Sequence, residues 1–411
     1  MEINRQRLLE RFLRYVQVDS GADPTSSTYP SSEGQRKLGG ILASELAAMG
    51  ASEVEQDSHA LVYATIPASA SGAIPIVALF AHMDTSPDAA NTHVKPQVVD
   101  DYDGGDLLLA NGEVIRTDAC PELASLKGST LITTDGSTLL GGDDKAGVAI
   151  LMELAETLLE NPQIPHGPVK LVFTCDEEIG RGTDKIDLAK LGATVGYTLD
   201  GGSAGIIDVE TFSADGATVV VTGDNIHPAI AKDRMINAVR GASDFIAKLP
   251  RTERTPETTE GREGFIHVNQ VNGGVGQCQI DLILRSFDSA DLETYATRLR
   301  EIAAEVESEW PGMKLDVRIH RQYRNLGDGL VELPQAVSFA EQAFEKLGRE
   351  YQKEIIRGGT DGSVLTEKGL PTPNLSSGQH NIHSVREFAC LDEMIQATEH
   401  VAVLLGYWAN Q

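Results

Sequence analysis

His82 and Asp84 stand two residues apart where the apolar run Ile74 to Phe80 ends, and Asp143, the pair Glu177–Glu178, Asp200 and His383 follow at wide intervals. Two imidazoles and several carboxylates, most of them at the ends of apolar, strand-like segments, form the donor set of a paired-zinc hydrolytic centre. Alternate residues of a strand share a face, so Asp84 can accept the second ring N–H of a metal-binding His82, fixing its tautomer and raising its basicity. An isolated His-x-Asp is more often a loop histidine beside a turn aspartate. The remaining residues give this one its meaning.

Leu140-Gly141-Gly142-Asp143-Asp144-Lys145-Ala146-Gly147 places two glycines and two aspartates at the start of a helical pattern. Glycine lets backbone approach a site closely, and a carboxylate there can bridge two cations with its two oxygens. Asp143 is taken as the bridge and Asp144 as a charge at the helix N-terminus, a choice that spacing alone does not make. Asp176-Glu177-Glu178-Ile179-Gly180 follows the apolar Val169 to Phe173. Neighbouring side chains on extended backbone diverge, so Glu178 is read as a ligand and Glu177 as a general base facing the water. Asp200 closes the apolar Val195 to Leu199 before Gly201-Gly202, at a strand end where open α/β sheets place ligands. His383 supplies the second imidazole. Two Zn²⁺ would be balanced by Asp143, Glu178, Asp200 and one bridging hydroxide.

These residues need elements to carry them. Apolar residues recur at helical spacing over Leu8 to Val16 and Leu38 to Met49, the latter stopped by Gly50, and over Lys145 to Leu159. Short apolar runs at Ile74–Phe80, Val169–Thr174 and Val195–Leu199 alternate with them, the signature of an α/β sheet. After Asp208 the order changes to strand (Ala217–Thr222), helix (Ala229–Leu249), strand (Gly264–Gln270), strand (Gln279–Arg285), helix (Asp291–Ser308) and strand (Lys314–His320). That βαββαβ order predicts a ferredoxin-like unit. The α/β pattern then resumes with helices over Leu333–Leu347 and Asp392–Trp408. The expected organisation is a discontinuous catalytic domain, 1–211 and 320–411, with a lid domain, 212–319, inserted into it. Arg251 to Glu260 reads as a polar loop.

With 411 residues the chain exceeds what one core usually serves, and 41% hydrophobic residues allow a sizeable core. A net charge of −27 argues against nucleic acid or an anionic membrane as partner. Four scattered cysteines, with no C-x-x-C pair, fit neither a disulfide framework nor a thiolate zinc cage. No signal-like or membrane-spanning stretch is present. These features predict a soluble, cytoplasmic protein.

Taken in order, HMDT (82–85), GGDDKAG (141–147), DEEIG (176–180), YTLDGG (197–202) and NIHSVREF (381–388) resemble the M20 family of co-catalytic zinc peptidases. Pro30-Ser31-Ser32-Glu33-Gly34-Gln35 and Ile356-Arg357-Gly358-Gly359-Thr360-Asp361-Gly362 extend the similarity over nearly the whole chain. The resemblance implies an α/β/α sandwich with an inserted lid and two zinc ions per chain. His82 and Asp200 would complete one site, Glu178 and His383 the other, with Asp143 bridging, Asp84 orienting His82 and Glu177 as base. In the inserted domain it implies that His227 stabilises the oxyanion and that Arg285 and Arg357 hold the peptide's C-terminal carboxylate. The substrate would be a short peptide, foremost a tripeptide, losing its N-terminal residue. An aminoacylase-type amidohydrolase is the alternative, and homodimer formation stays open. Gly142 stands where alanine is commoner in the family, and His380, an additional histidine near His383, is not assigned as a ligand.

Overall fold

The computed structural model describes residues 2–411, which divide into two compact units. The first comprises the chain up to Val209 together with Gly329–Glu354 and Thr360–Gln411; the second comprises Glu210–Asp328 and Ile355–Gly359.

The first unit is built on an eight-stranded mixed sheet. Its middle consists of Val169–Thr174, Val77–His82 and Val195–Gly201, side by side and parallel, with Asn374–Ser376 parallel to the last of these. Every residue of Val77–His82 is buried, so both faces of this strand are covered, as the continuous apolar run requires of a parallel strand. The helix Gly142–Glu160 packs on Val77–His82 and Val195–Gly201, and the helices Arg5–Val16 and Leu391–Ala409 pack against it in turn. Sandwiched in this way, it is buried almost all round. The helix Glu33–Met49 ends at Gly50 in the left-handed conformation, φ 91°, which glycine adopts without a Cβ penalty.

Three parallel strands thus deliver their carboxyl ends to one edge: His82, the turn after Thr174, and Asp200. A second, small sheet of Gln379–His380, Phe388–Cys390, Leu131–Thr133 and Gln97–Val99 carries the hairpin that bears His383. Its strands are two or three residues long, too short for any periodicity to announce them.

The second unit is a four-stranded antiparallel sheet of Ser213–Thr222, Phe265–Gly273, Gln277–Ser286 and Lys314–Tyr323, with the helices Ala238–Ala247 and Ser289–Glu309. In chain order the four strands line up second, third, first, fourth, which is the ferredoxin-like arrangement the βαββαβ order predicts. Val219, Val221, Phe245, Ile280, Leu282, Leu299 and Ile302 meet in its core. One element differs from expectation. Helical spacing from Ala229 suggests a long helix, yet only Ala238–Ala247 is α-helical; Pro228–Ile230 is a single 3-10 turn. Asp233 takes a left-handed φ of 59°, and Ile236 pairs with Asp224 through reciprocal N–H···O bonds, so the chain cannot stay helical between them. Asn237 then caps the true helix by accepting from Val239 N.

Candidate metal centre

The five sequence-predicted ligands converge. His82 Nε2 lies 2.9 Å from Asp143 Oδ1 and 3.8 Å from Asp200 Oδ1, while His383 Nε2 lies 3.3 Å from Asp143 Oδ2 and 3.0 Å from Glu178 Oε2. His82, Asp143 and Asp200 form one group able to hold a metal ion, and Asp143, Glu178 and His383 form another. Asp143 belongs to both and turns one oxygen to each histidine.

Local backbone explains the placement. Asp143 and Asp144 are non-helical, with ψ of 103° and 37°, so the helix proper begins after them and Asp143 sits on a turn at its mouth. Glu177–Ile179 is a 3-10 turn rather than the extended segment expected, and this turn separates the two glutamates. Asp176, at a left-handed φ of 63°, anchors the turn: its buried carboxylate accepts from Ser31 N and Gln35 Nε2, and its own N–H donates to Gln35 Oε1. The Pro30–Gln35 segment therefore braces the glutamates.

Asp84 does more than orient His82. His82 Nδ1 is 3.0 Å from the Asp84 main-chain oxygen and 3.4 Å from its carboxylate, which accepts from Glu177 N at 3.1 Å and Glu178 N at 3.0 Å. One fully buried aspartate so ties the histidine strand to the glutamate turn. Asp144, expected as a charge at the helix N-terminus, is likewise fully buried, accepting from His82 N and Gly147 N. Gly147 is obligatory there: a Cβ would lie 2.2 Å from the Leu199 carbonyl oxygen.

The electrostatics ask for a cation. Burial, then neighbouring carboxylates, push Asp144 well above the usual carboxylate range, and burial drives Glu177 and Asp200 the same way. Burial also pushes Glu178 up to about 7. Burial opposes the charge of Asp143 too, but hydrogen bonds from His383 and His82 outweigh it and hold this carboxyl low. His383 is raised to about 11 by Asp143 and Glu178. Glu178 Oε1 is buried with no hydrogen-bond partner. An orphaned carboxylate oxygen among imidazole and carboxylate donors fits a divalent ion.

Several supporting residues escaped the sequence reading. Asp88 Oδ2 accepts from His383 Nδ1 at 2.9 Å, the carboxylate–histidine relation expected behind a metal ligand. Gln379 Nε2 donates to Asp200 Oδ1 at 3.0 Å. Lys145, buried and lowered to about 8 by desolvation, donates to the Val18 carbonyl. Glu387 lies beneath the Asp143 turn, and Asp361 accepts from Thr174 Oγ1. His380 pairs with Glu393 at 2.6 Å and stacks on Phe388, outside the ligand set.

The predicted substrate residues lie in the second unit. His227 is exposed; its Nδ1 accepts from Ala229 N at 3.2 Å, which leaves the proton on Nε2. Arg285 donates to the Leu284 carbonyl and Gln322 Oε1 and lies over the Tyr323 ring, with no carboxylate paired to it among the described residues. Arg357 is more committed: its terminal nitrogens donate to the carbonyls of Thr259, Gly261 and Glu263 and to Thr259 Oγ1, and the guanidinium lies 5.1 Å from the Phe212 ring centre. In this geometry it holds the 259–263 loop.

Two further facts bear on setting. No helix among the described residues is long and apolar enough to cross a membrane. All four cysteines are free and buried.

Known proteins resemble this chain over its whole length. Residues 209–311 match the M20 peptidase dimerisation domain. The chain is similar to the Peptidase T of Geobacillus kaustophilus (strain HTA426), 42% identical over 403 residues that cover 98% of each chain. Among solved structures it is similar to aminopeptidase PepT from Bacillus cereus ATCC 10987, with a TM-score of 0.76 and 26% identity across the whole of both chains. A tripeptidase from Staphylococcus aureus subsp. aureus mu50 gives a TM-score of 0.78 at 25% identity, again over both full chains.

Proposed function

The chain belongs to the peptidase T family of M20 peptidases, and from that premise we propose that it is an aminopeptidase releasing the N-terminal residue of tripeptides with two zinc ions per chain. It is a hydrolase. The observation that carries the two-metal reading is the double membership of Asp143, one oxygen toward His82 and the other toward His383.

His82 and Asp200 would hold one ion, Glu178 and His383 the other, and Asp143 both. When bound, the two ions supply Lewis acidity to the attacking water and to the scissile carbonyl. Glu177 is the proton carrier: no ligand group includes it, yet Asp84 fixes its backbone beside Glu178. Burial raises its proton affinity above that of an ordinary glutamate, which suits a group that takes a proton from water and passes it to the leaving amine. His227, with its proton on Nε2, is assigned the developing oxyanion. Arg285, whose terminal donors are only partly used, is assigned the peptide carboxylate together with Arg357, whose terminal nitrogens also hold the 259–263 loop. The matched dimerisation domain supports a homodimer, and four unpaired thiols support a reducing, cytoplasmic setting.

The test is a panel of di-, tri- and tetrapeptides, free and N-acetylated, given to zinc-loaded and chelated enzyme. Tripeptides with a free amine should be the best substrates, and chelation should stop the reaction. A preference for acylated amines would overturn the aminopeptidase assignment in favour of an amidohydrolase.

A further inference from the structure

We propose that Glu387 is a positioning residue for the metal centre, fixing the turn that presents Asp143 and, through that one side chain, both cation positions. Its Oε2 accepts from Leu140 N at 2.7 Å and Gly141 N at 2.8 Å, and its Oε1 accepts from Asp143 N at 2.9 Å. One carboxylate therefore satisfies three main-chain donors within four residues. The turn has no other local means of doing so: Gly141 offers no side-chain cap, and Asp143 and Asp144 are not yet helical. Glu387 is 1% exposed, so an N–H it released would be left unsatisfied rather than hydrated.

The backbone is shaped to the carboxylate. A Cβ on Gly142 would lie 3.1 Å from Glu387 Oε1, so glycine allows the close approach without displacement. Glu387 also sits on the hairpin between Gln379–His380 and Phe388–Cys390, four residues after His383. The Asp143 turn and the His383 hairpin are thereby joined through buried, charge-assisted hydrogen bonds. Charge matters to this joint. A glutamine has a single acceptor oxygen, so its amide NH₂ must face either the Asp143 N–H or the Leu140 and Gly141 N–H groups, donor against donor.

This inference rests on the two-cation reading, and the experiment separates the two. Zinc alone is titrated into metal-free wild type, Glu387→Gln, Glu178→Gln and Asp200→Asn in competition with a chelating dye. Glu178→Gln and Asp200→Asn should each weaken chiefly one of two binding steps. Glu387→Gln should weaken both together, by about 10–100-fold. Loosening of the hairpin alone would weaken only the cluster containing His383; that result, or two steps unchanged within a few-fold, would overturn the proposal. Hydrogen exchange on metal-free wild type provides a reading that needs no variant. The Leu140, Gly141 and Asp143 amides should be strongly protected, and rapid exchange at them would dismiss the clamp. Should wild type hydrolyse peptides without binding zinc, the functional reading fails while these amides still report on Glu387.

Discussion

Replacing Glu153 with alanine removes the hub of a charge network under the helix that leads to Asp143. Glu153 has no exposed side-chain surface; it accepts from Arg7 Nε and Nη2 at 2.8 Å each and from Arg11 Nη1 at 2.8 Å. Arg11 is 8% exposed and keeps Glu156, the Met152 carbonyl at 3.3 Å and, at 3.7 Å, Glu45, whereas Arg7 is 20% exposed and keeps Glu156 and Glu160. Breaking a buried pair by deleting one partner costs about 3–5 kcal/mol, and the surviving partners place this case near about 3 kcal/mol. The first unit holds about 290 residues, for which an unfolding entropy of about 2.1 cal/mol/K per residue gives a Tm fall of about 5 °C. Scanning calorimetry of the metal-free protein checks it. The exposed pair Arg300–Glu293, with side chains 50% and 76% exposed, is the control: Arg300→Ala should cost less than about 1 kcal/mol. Replacing the whole cluster together, as Arg7→Met, Arg11→Met, Glu153→Leu and Glu156→Leu, should recover most of the loss, because the carboxylates that remain are either exposed, as Glu160 is, or keep a partner, as Glu45 keeps Arg14. A fall below about 2 °C for Glu153→Ala would refute this account of how the helix is held.

Further outcomes follow from single side chains. Glu177→Gln should lower kcat by about 10²–10⁴-fold while bound zinc per chain is unchanged by elemental analysis; loss of metal would mean that base and ligand have been confused. His380→Ala should leave zinc content and the pH profile of kcat unaltered, since His380 pairs with Glu393, and a missing ion in that variant would reopen the ligand set. Burial holds His400 down at about 4, against about 6.5 unfolded, so its neutral form is fully stabilising above pH 6.5 and that contribution drains away as the pH falls toward 4. Between pH 7 and pH 5 wild type should lose about 2 kcal/mol more than His400→Gln in urea titrations; parallel losses would exclude the histidine as a source of acid sensitivity.

The candidate ligands on the main sheet were legible in the sequence because each sits where an apolar run ends, and a parallel sheet gathers such ends at one edge. His82, Asp200 and the Glu177–Glu178 pair are placed by three adjacent strands whose apolar character is plain in the letters. The inserted ferredoxin-like unit was legible for the same reason, its strands and helices being long enough to repeat. What holds the ligands was not. Glu387 meets Leu140 across 247 positions, and Gln35 meets Asp176 across 141; a buried glutamate or glutamine in a polar stretch looks like any surface residue until its partner is known. Asp144 reads as a charge at a helix N-terminus because helix starts favour acids, but the turn before this helix carries it inward to His82 N. The helix expected from Ala229 failed because spacing does not register a left-handed residue such as Asp233. The motif around Arg357 gives no sign that its terminal nitrogens also reach the carbonyls of Thr259, Gly261 and Glu263, because those partners lie almost a hundred positions away.

The second unit takes in not only Glu210–Asp328 but also the five residues Ile355–Gly359, so the polypeptide passes between the two units four times instead of twice. Phe212 N donates to the carbonyls of both Ile356 and Gly358, and Arg357 from the same short segment pins the loop after Thr259. A gene fragment spanning 210–328 would therefore lack the segment to which Phe212 N and the loop after Thr259 are bonded. This body cannot be cut out or exchanged between relatives as a single cassette; any chimera has to carry both pieces from the same parent.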